Sequence, residues 1–224
     1  MGKISDAFDK FQHERNTSVR QRKTFEPVSN KAPEIHKASF AADSKLTNYN
    51  KLNSNLVTIF KPQSFEAEQF RMLKSQLLFP ASSNRPRSIM VTSALPGEGK
   101  SFVSANLAAS LAQNINEYVL LIDCDIRRPT IHKNFGIADG PGLSDYLSSN
   151  ISLSSLLLAT AVDRLNILPG GRSVKNPAEL LSSQKMSELL HEMTSRYNDR
   201  YIIVDSPPPK LTSGTNALGN YHSR

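Results

Sequence analysis

Residues 94–101 read ALPGEGKS, and they stand between an apolar run, Ile89, Met90 and Val91, and a stretch with helical periodicity over 100–113. The preceding segment, RSIMVTS (87–93), is short, continuously apolar at its centre and rich in β-branched residues, which is the pattern of a buried parallel strand. The order is therefore strand, glycine-bearing loop, helix. In that order the backbone N–H groups of residues 97–100 can turn inward around a phosphate, and the positive end of the helix dipole adds to the attraction. Gly97 and Gly99 leave room for that approach. The cradle so defined runs from Pro96 through Gly97, Glu98, Gly99, Lys100 and Ser101 to Phe102.

Alanine, four residues, then Gly-Lys-Ser is a P-loop in its alanine-first form, set in the strand-to-helix context that gives the motif its meaning. Lys100 is placed to reach the β- and γ-phosphate oxygens of a nucleoside triphosphate, and the Ser101 hydroxyl to join Mg²⁺. Two further apolar runs end in carboxylates: EYVLLIDCD (117–125) in Asp123 and Asp125, and YIIVDSPPP (201–209) in Asp205. Ligands of open parallel sheets bind at the carboxyl ends of the strands. Lys100, Asp123, Asp125 and Asp205 are accordingly the candidate catalytic residues, and Ser101, Asp123 and Asp205 the candidate metal ligands. The two-residue period of a strand puts Asp123 and Asp125 on one side, both expected to face the phosphates. A single aspartate at a strand end is as often a turn former or helix cap. Three of them behind one P-loop are hard to explain in that way.

Working outward, DRLNILPGG (163–171) is a further strand that stops at Pro169, and NPAELLSSQKMSELLHEM (176–193) is helical, with Asn176 as N-cap, Pro177 at N1 and Glu179 closing a capping box. FEAEQFRMLKSQLLF (65–79) sets Phe70, Leu73 and Leu77 along one helical face beside a charged row, Glu68, Arg71 and Lys74. Strands alternating with helices predict an α/β fold of the P-loop NTPase type, a doubly wound, mainly parallel sheet with helices on both faces. The 224 residues, 38% of them hydrophobic, suffice for one sizeable core. Residues 62–224 are assigned to that domain and 1–61 to a polar, largely disordered extension. Within the extension, KISDAFDKF (3–11) spaces Ile4, Phe8 and Phe11 as a short helix would, either a nascent helix or a docking peptide.

The single cysteine, Cys124, excludes an internal disulfide, and neither a metal-type Cys/His cluster nor a secretory leader is evident. No apolar run approaches the roughly 18 residues of a membrane span. The chain is expected to be cytoplasmic, reaching the inner face of the cytoplasmic membrane only through a partner. The formal charge of +7 favours acidic partners in general, but much of it lies in the extension, and no specific nucleic acid is expected.

The ordered set SALPGEGKS, VLLIDCDIRRP and YIIVDSPPP, with GLSDYL and NPAELLSS between its members, resembles the bacterial tyrosine kinases over about residues 65–218. These are cytoplasmic autokinases of capsule and exopolysaccharide synthesis, and they name the three motifs Walker A, A′ and B. The opening MGKISDAFDKF is similar to that of a subgroup linked with exosortase-associated polysaccharide clusters. The resemblance implies transfer of the γ-phosphoryl of Mg·ATP to tyrosine. It implies Lys100 and Ser101 as phosphate and metal residues, Asp123 as the aspartate contacting the metal and the incoming hydroxyl, Asp125 and Arg127 as the rest of Walker A′, and Asp205 at Walker B. It also implies self-association through the helix of Glu68, Arg71 and Lys74, where Lys74 replaces the last arginine of the family's Glu-x-x-Arg-x-x-Arg, and activation by a separate membrane polysaccharide co-polymerase. Family members continue with further strands and a tail of clustered tyrosines. Against that pattern this sequence reads as C-terminally incomplete, with Gly214 where many members are acidic, Tyr221 the one tyrosine in the last twenty residues, and an open sheet edge expected to impair stability and activity. Two other readings stand beside it. One is a ParA/MinD-type ATPase, although the position of that group's leading P-loop lysine holds Leu95. The other is a catalytically silent nucleotide-binding regulatory subunit.

Overall fold

The computed structural model describes residues 49–81, 85–114, 116–196 and 200–208, with the side chains of 194–196 left aside. Five strands form one sheet: β1 (Ser88–Val91), β2 (Tyr118–Asp123), β3 (Leu158–Ala159), β4 (Leu165–Leu168) and β5 (Arg200–Asp205), in the order β1-β5-β2-β4-β3. The four strands expected from sequence are parallel to one another, and only β3 runs antiparallel, at an edge. A two-residue strand is too short to leave a periodic signal, which is why β3 was not foreseen.

Alternation along β2 and β5 supplies both faces of the sheet at once. Val119, Leu121, Tyr201 and Ile203 point into one buried cluster, and Leu120, Ile122, Ile202 and Val204 into the other. Continuous apolar runs are what a strand covered on both sides needs. The first face is covered by α3 (Lys100–Ala112), whose nine residues 104–112 are all buried. Its many alanines and serines let sheet and helix approach closely. Over α3 lies α2 (Phe65–Leu78), started by the Ser64 side chain accepting the Ala67 N–H at 3.1 Å. Phe70 on α2 meets Phe102 on α3 with ring centroids 5.9 Å apart. The second face is covered by α8 (Gln184–Arg196) through Met186, Leu189, Leu190 and Met193, an i, i+3, i+4, i+7 stripe.

Two expectations need correction. The single helix foreseen over 176–193 is two, α7 (Pro177–Leu181) and α8, divided at Ser182 and Ser183. Asn176 stands at the N-cap position and Pro177 at N1, but the Asn176 side chain makes no cap bond. Ser183 caps instead, its Oγ accepting the Met186 N–H at 3.2 Å, because serine competes well for orphan donors at a helix start.

The domain boundary at 61/62 also falls inside folded structure. Leu52, Leu56 and Val57 are buried, the last opening the short helix α1 (Val57–Phe60). The Thr58 amide and hydroxyl both donate to Asn106 Oδ1, at 3.2 and 3.3 Å, and Asn106 Nδ2 donates to the Asn55 carbonyl at 2.9 Å. Three apolar residues in a polar stretch carry no readable period; they are core because α3 offers them a surface and a buried asparagine to satisfy. The readings on 1–48, including Ile4, Phe8 and Phe11, and those on Gly214 and Tyr221 lie outside the described residues.

Candidate active site

Sheet register does the first part of the assembly. Val91, Asp205 and Asp123 are neighbours across β1, β5 and β2, so two carboxylates emerge side by side at the carboxyl edge, level with the loop that follows β1. That loop turns through Gly97 and Gly99, at φ of 84° and 88°, the left-handed region that other residues rarely adopt. A Cβ at either would meet nothing within 4 Å, so these positions require glycine for backbone conformation and open onto free space. Glu98 braces the loop by accepting the Leu95 N–H at 2.9 Å. Phe102 turns its ring to Phe70 and the core, so its contribution to the cradle is confined to the backbone N–H of the first helical turn.

The polar side chains then converge. Lys100 Nζ lies 2.9 Å from Asp125 Oδ2. Ser101 Oγ donates to Asp205 Oδ2 at 2.7 Å, and Ser104 Oγ lies 3.0 Å from Asp205 Oδ1. Ser104 was not singled out from the sequence; its signal is its place one turn after Ser101 on the same helix face. Asp125 and Arg127 line a cavity of about 270 Å³ with Pro96, Pro177 and Pro207.

Asp123 departs from expectation. β2 ends at Asp123, so strand alternation does not carry on to Asp125 and is not what places the second carboxylate. The chain instead turns back on itself: Asp123 Oδ1 accepts the Asp125 N–H at 3.1 Å, and Oδ2 accepts those of Thr130 and Ile131 at 3.0 and 3.1 Å, at the start of α4 (Ile131–Asn134). Burial, and next the charge of Asp205, push the Asp123 carboxyl up from its ordinary 3.8 to about 8, against the lowering effect of those N–H groups. Burial also raises Asp205, opposed by the Ser101 hydroxyl and Lys100.

This has a sign that can be tested. A folded state that binds the Asp123 proton more tightly than the unfolded chain contributes stability that is complete below pH 3.8 and is lost as pH rises towards about 8. The limiting slope is about 1.4 kcal/mol per pH unit. The melting temperature of the ligand-free chain is therefore expected to fall between about pH 5 and 8, and Asp123→Asn to flatten the fall. A wild-type profile as flat as the variant's would mean that Asp123 is ionised throughout.

Among the described residues no group of three or more His, Cys, Asp or Glu side chains forms a metal cage. Magnesium bound to phosphates needs only one or two protein oxygens, since it keeps several waters. The open glycine loop and the buried Asp205, faced by two hydroxyls, fit a nucleotide phosphate chain with such an ion.

Comparison with known proteins agrees. A family model described as an AAA domain matches residues 87–221. Tyrosine-protein kinase YwqD of Bacillus subtilis is 37% identical over 170 residues, which cover 76% of this chain and 70% of that protein. Putative tyrosine-protein kinase CapB of Staphylococcus aureus is 35% identical over 148 residues, 66% of this chain and 64% of that one. The kinase domain of Escherichia coli tyrosine kinase ETK shares the fold at a TM-score of 0.67 and 31% identity, over 74% of this chain and 64% of that domain. The chain thus spans about two thirds of the length of these relatives. A sequence that keeps more than a third of YwqD's residues along most of that protein, folded as the ETK kinase domain is, belongs to the bacterial tyrosine kinase family.

Proposed function

We propose that this chain transfers the γ-phosphoryl group of ATP to tyrosine hydroxyls, its own kind included, and so regulates capsule or exopolysaccharide synthesis from the cytoplasm. The observation that carries the reading is the convergence of Lys100, Ser101, Asp125 and Asp205 on one glycine loop, brought together by three adjacent strands. The relatives' names, tyrosine-protein kinases among them one called CapB, support it. Leu95, 56% exposed at the loop, supplies none of the cationic reach that the ParA/MinD reading needs.

Ser101 and Asp205 would hold Mg²⁺. Bound there, the ion would neutralise charge on the phosphate oxygens and favour the ionised form of the Asp123–Asp205 pair. Lys100 exchanges Asp125 for phosphate, while the N–H groups of the loop orient the chain of phosphates for an in-line approach. A tyrosine hydroxyl, with a pKa near 10, must lose its proton as the new bond forms. Asp123 is the assigned acceptor, the carboxylate that stands beside Asp205 at the end of β2. Asp123 is fully buried beneath the segment 124–131, whose Asp125, Thr130 and Ile131 N–H groups bond its oxygens, so the hydroxyl reaches it only if that segment shifts.

Self-association through α2 and activation by a membrane polysaccharide co-polymerase are part of the same proposal. Glu68 accepts the Arg71 Nε–H at 2.8 Å and Arg71 also donates to the Pro62 carbonyl at 2.6 Å, so a neighbour would compete for these groups. Phe65, Met72 and Phe79, at seven-residue spacing, are 76, 51 and 71% exposed, an apolar line of the sort that interfaces cover. No described helix is long and apolar enough to cross a membrane.

The test is phosphotyrosine detection on the purified chain given ATP and Mg²⁺. Asp123→Asn is expected to lower transfer at least about a hundredfold while Mg·ATP binding stays within a few-fold. Equal loss of both would restrict Asp123 to the metal. Release of free phosphate without phosphotyrosine would point to the ATPase, and binding without any turnover to the silent subunit.

A further inference from the structure

Beside the 270 Å³ cavity lies a wider cleft of about 630 Å³. Four cations border it, Arg127, Arg128, Lys133 and Arg172, and Asp139 is the one carboxylate among its lining residues. Asp139 is already engaged, its Oδ1 2.7 Å from His132 Nε2. Arg172 has Asp145 at 3.8 Å, but its side chain is 83% exposed, and that carboxylate also accepts the N–H groups of Gly142 and Arg172 itself.

The cations are not on loose ends. The Ser173 hydroxyl donates to the Arg127 carbonyl and the Ser144 hydroxyl to the Arg172 carbonyl, each at 2.7 Å, and the Val174 N–H reaches the Ile126 carbonyl at 3.3 Å. The loops after β2 and β4 are thereby tied together through their backbones, which keeps Arg127 and Arg172 on the rim of one cleft. Such a cluster in a concave surface raises the local potential and is relieved by an anionic ligand.

Position says which anion. Arg127 and Arg128 line both cavities, so the basic cleft shares a wall with the space that Asp125 and Pro96 border. On the kinase reading proposed above, on which this inference rests, an acceptor chain presenting its hydroxyl near Asp125 lays its neighbouring residues over that wall. We propose that the cleft formed by Arg127, Arg128, Lys133 and Arg172 binds the carboxylates flanking the acceptor tyrosine, and that the acceptor is therefore an acidic peptide segment.

The experiment uses the full chain and two fluorescent peptides with phenylalanine at the acceptor position, one flanked by Asp and Glu, the other by Ser and Gln, with binding read by anisotropy. The acidic peptide is expected to bind at least about tenfold tighter, a margin that shrinks in roughly 0.3 M salt. The charge reversal Lys133→Glu with Arg172→Glu, at two exposed positions lining only the wider cleft, is expected to abolish the margin and leave Mg·ATP affinity unchanged. The neutral pair Lys133→Gln with Arg172→Gln is expected to reduce it partway. Equal binding of the two peptides, or a preference that survives charge reversal, overturns the proposal. A single-stranded oligonucleotide of the same charge binding as tightly as the acidic peptide overturns it too. Because binding here requires no transfer, an acidic preference at this cleft without phosphotyrosine in the earlier assay removes the kinase reading alone, and transfer without acidic preference removes this inference alone.

Discussion

Lys100→Met is expected to lower tyrosine phosphorylation at least about a thousandfold, the scale seen when a preorganised charge facing a developing anion is removed. The lysine is nearly buried, with 11% of its side chain exposed, and it is the cation within 4.0 Å of Asp125, itself only 15% exposed. Methionine keeps the length of the stem and its packing but supplies nothing for phosphate to exchange with. The variant also leaves Asp125 without its partner beside Asp123 and Asp205, which adds negative charge where phosphates must enter. The fold should persist, since α3 is held by its buried face over residues 104–112. Phosphotyrosine measured on wild type and variant in parallel decides the matter. Transfer by the variant within tenfold of wild type would place the phosphate site elsewhere.

Gly142→Ala should be strongly destabilising for a change of one methyl group. Its Cβ would lie 2.1 Å from the Pro169 carbonyl oxygen, 2.5 Å from the Gly171 nitrogen and 2.8 Å from the Gly171 Cα. All three are backbone atoms, which cannot swing aside as a side chain can. The residues that follow are bonded to the same loop, Leu143 N–H to the Pro169 carbonyl at 2.8 Å and Ser144 N–H to that of Gly170 at 3.0 Å. Relief would break those bonds at the start of α5 (Leu143–Ser148) or move the loop after β4. We expect a loss of about 3 kcal/mol or more in denaturant unfolding. The damage reaches the site as well, because Gly170 packs on Asp123: a Cβ there would be 3.3 Å from the Asp123 carbonyl oxygen. A loss under about 1 kcal/mol would show that the turn yields easily.

The parts of the site that could be read in advance are those written in contiguous residues. The P-loop is legible because glycines, lysine and serine must follow one another for backbone N–H groups and side chains to surround one phosphate. The strand runs before Asp123 and Asp205 are legible because burial on both faces demands unbroken apolar stretches. What misled was the assumption that alternation outlasts the strand. Asp125 lies two residues past the end of β2, where the chain curls round the Asp123 carboxylate, so a turn and not strand alternation places it. The boundary at 61 failed for the opposite reason: Leu52, Leu56 and Val57 show no period, yet they are core.

By itself the sequence determined the class of fold, the phosphate loop and which acids stand at strand ends, since each follows from local pattern. Only the tertiary structure decided that β5 lies between β1 and β2, setting Asp205 level with Asp123, that Ser101 and Ser104 share Asp205 across more than a hundred residues, and that Lys100 meets Asp125. The physical reason is that strand neighbours and the cost of burying charge are settled by packing among distant segments, and the spacing of residues along one chain holds no record of either.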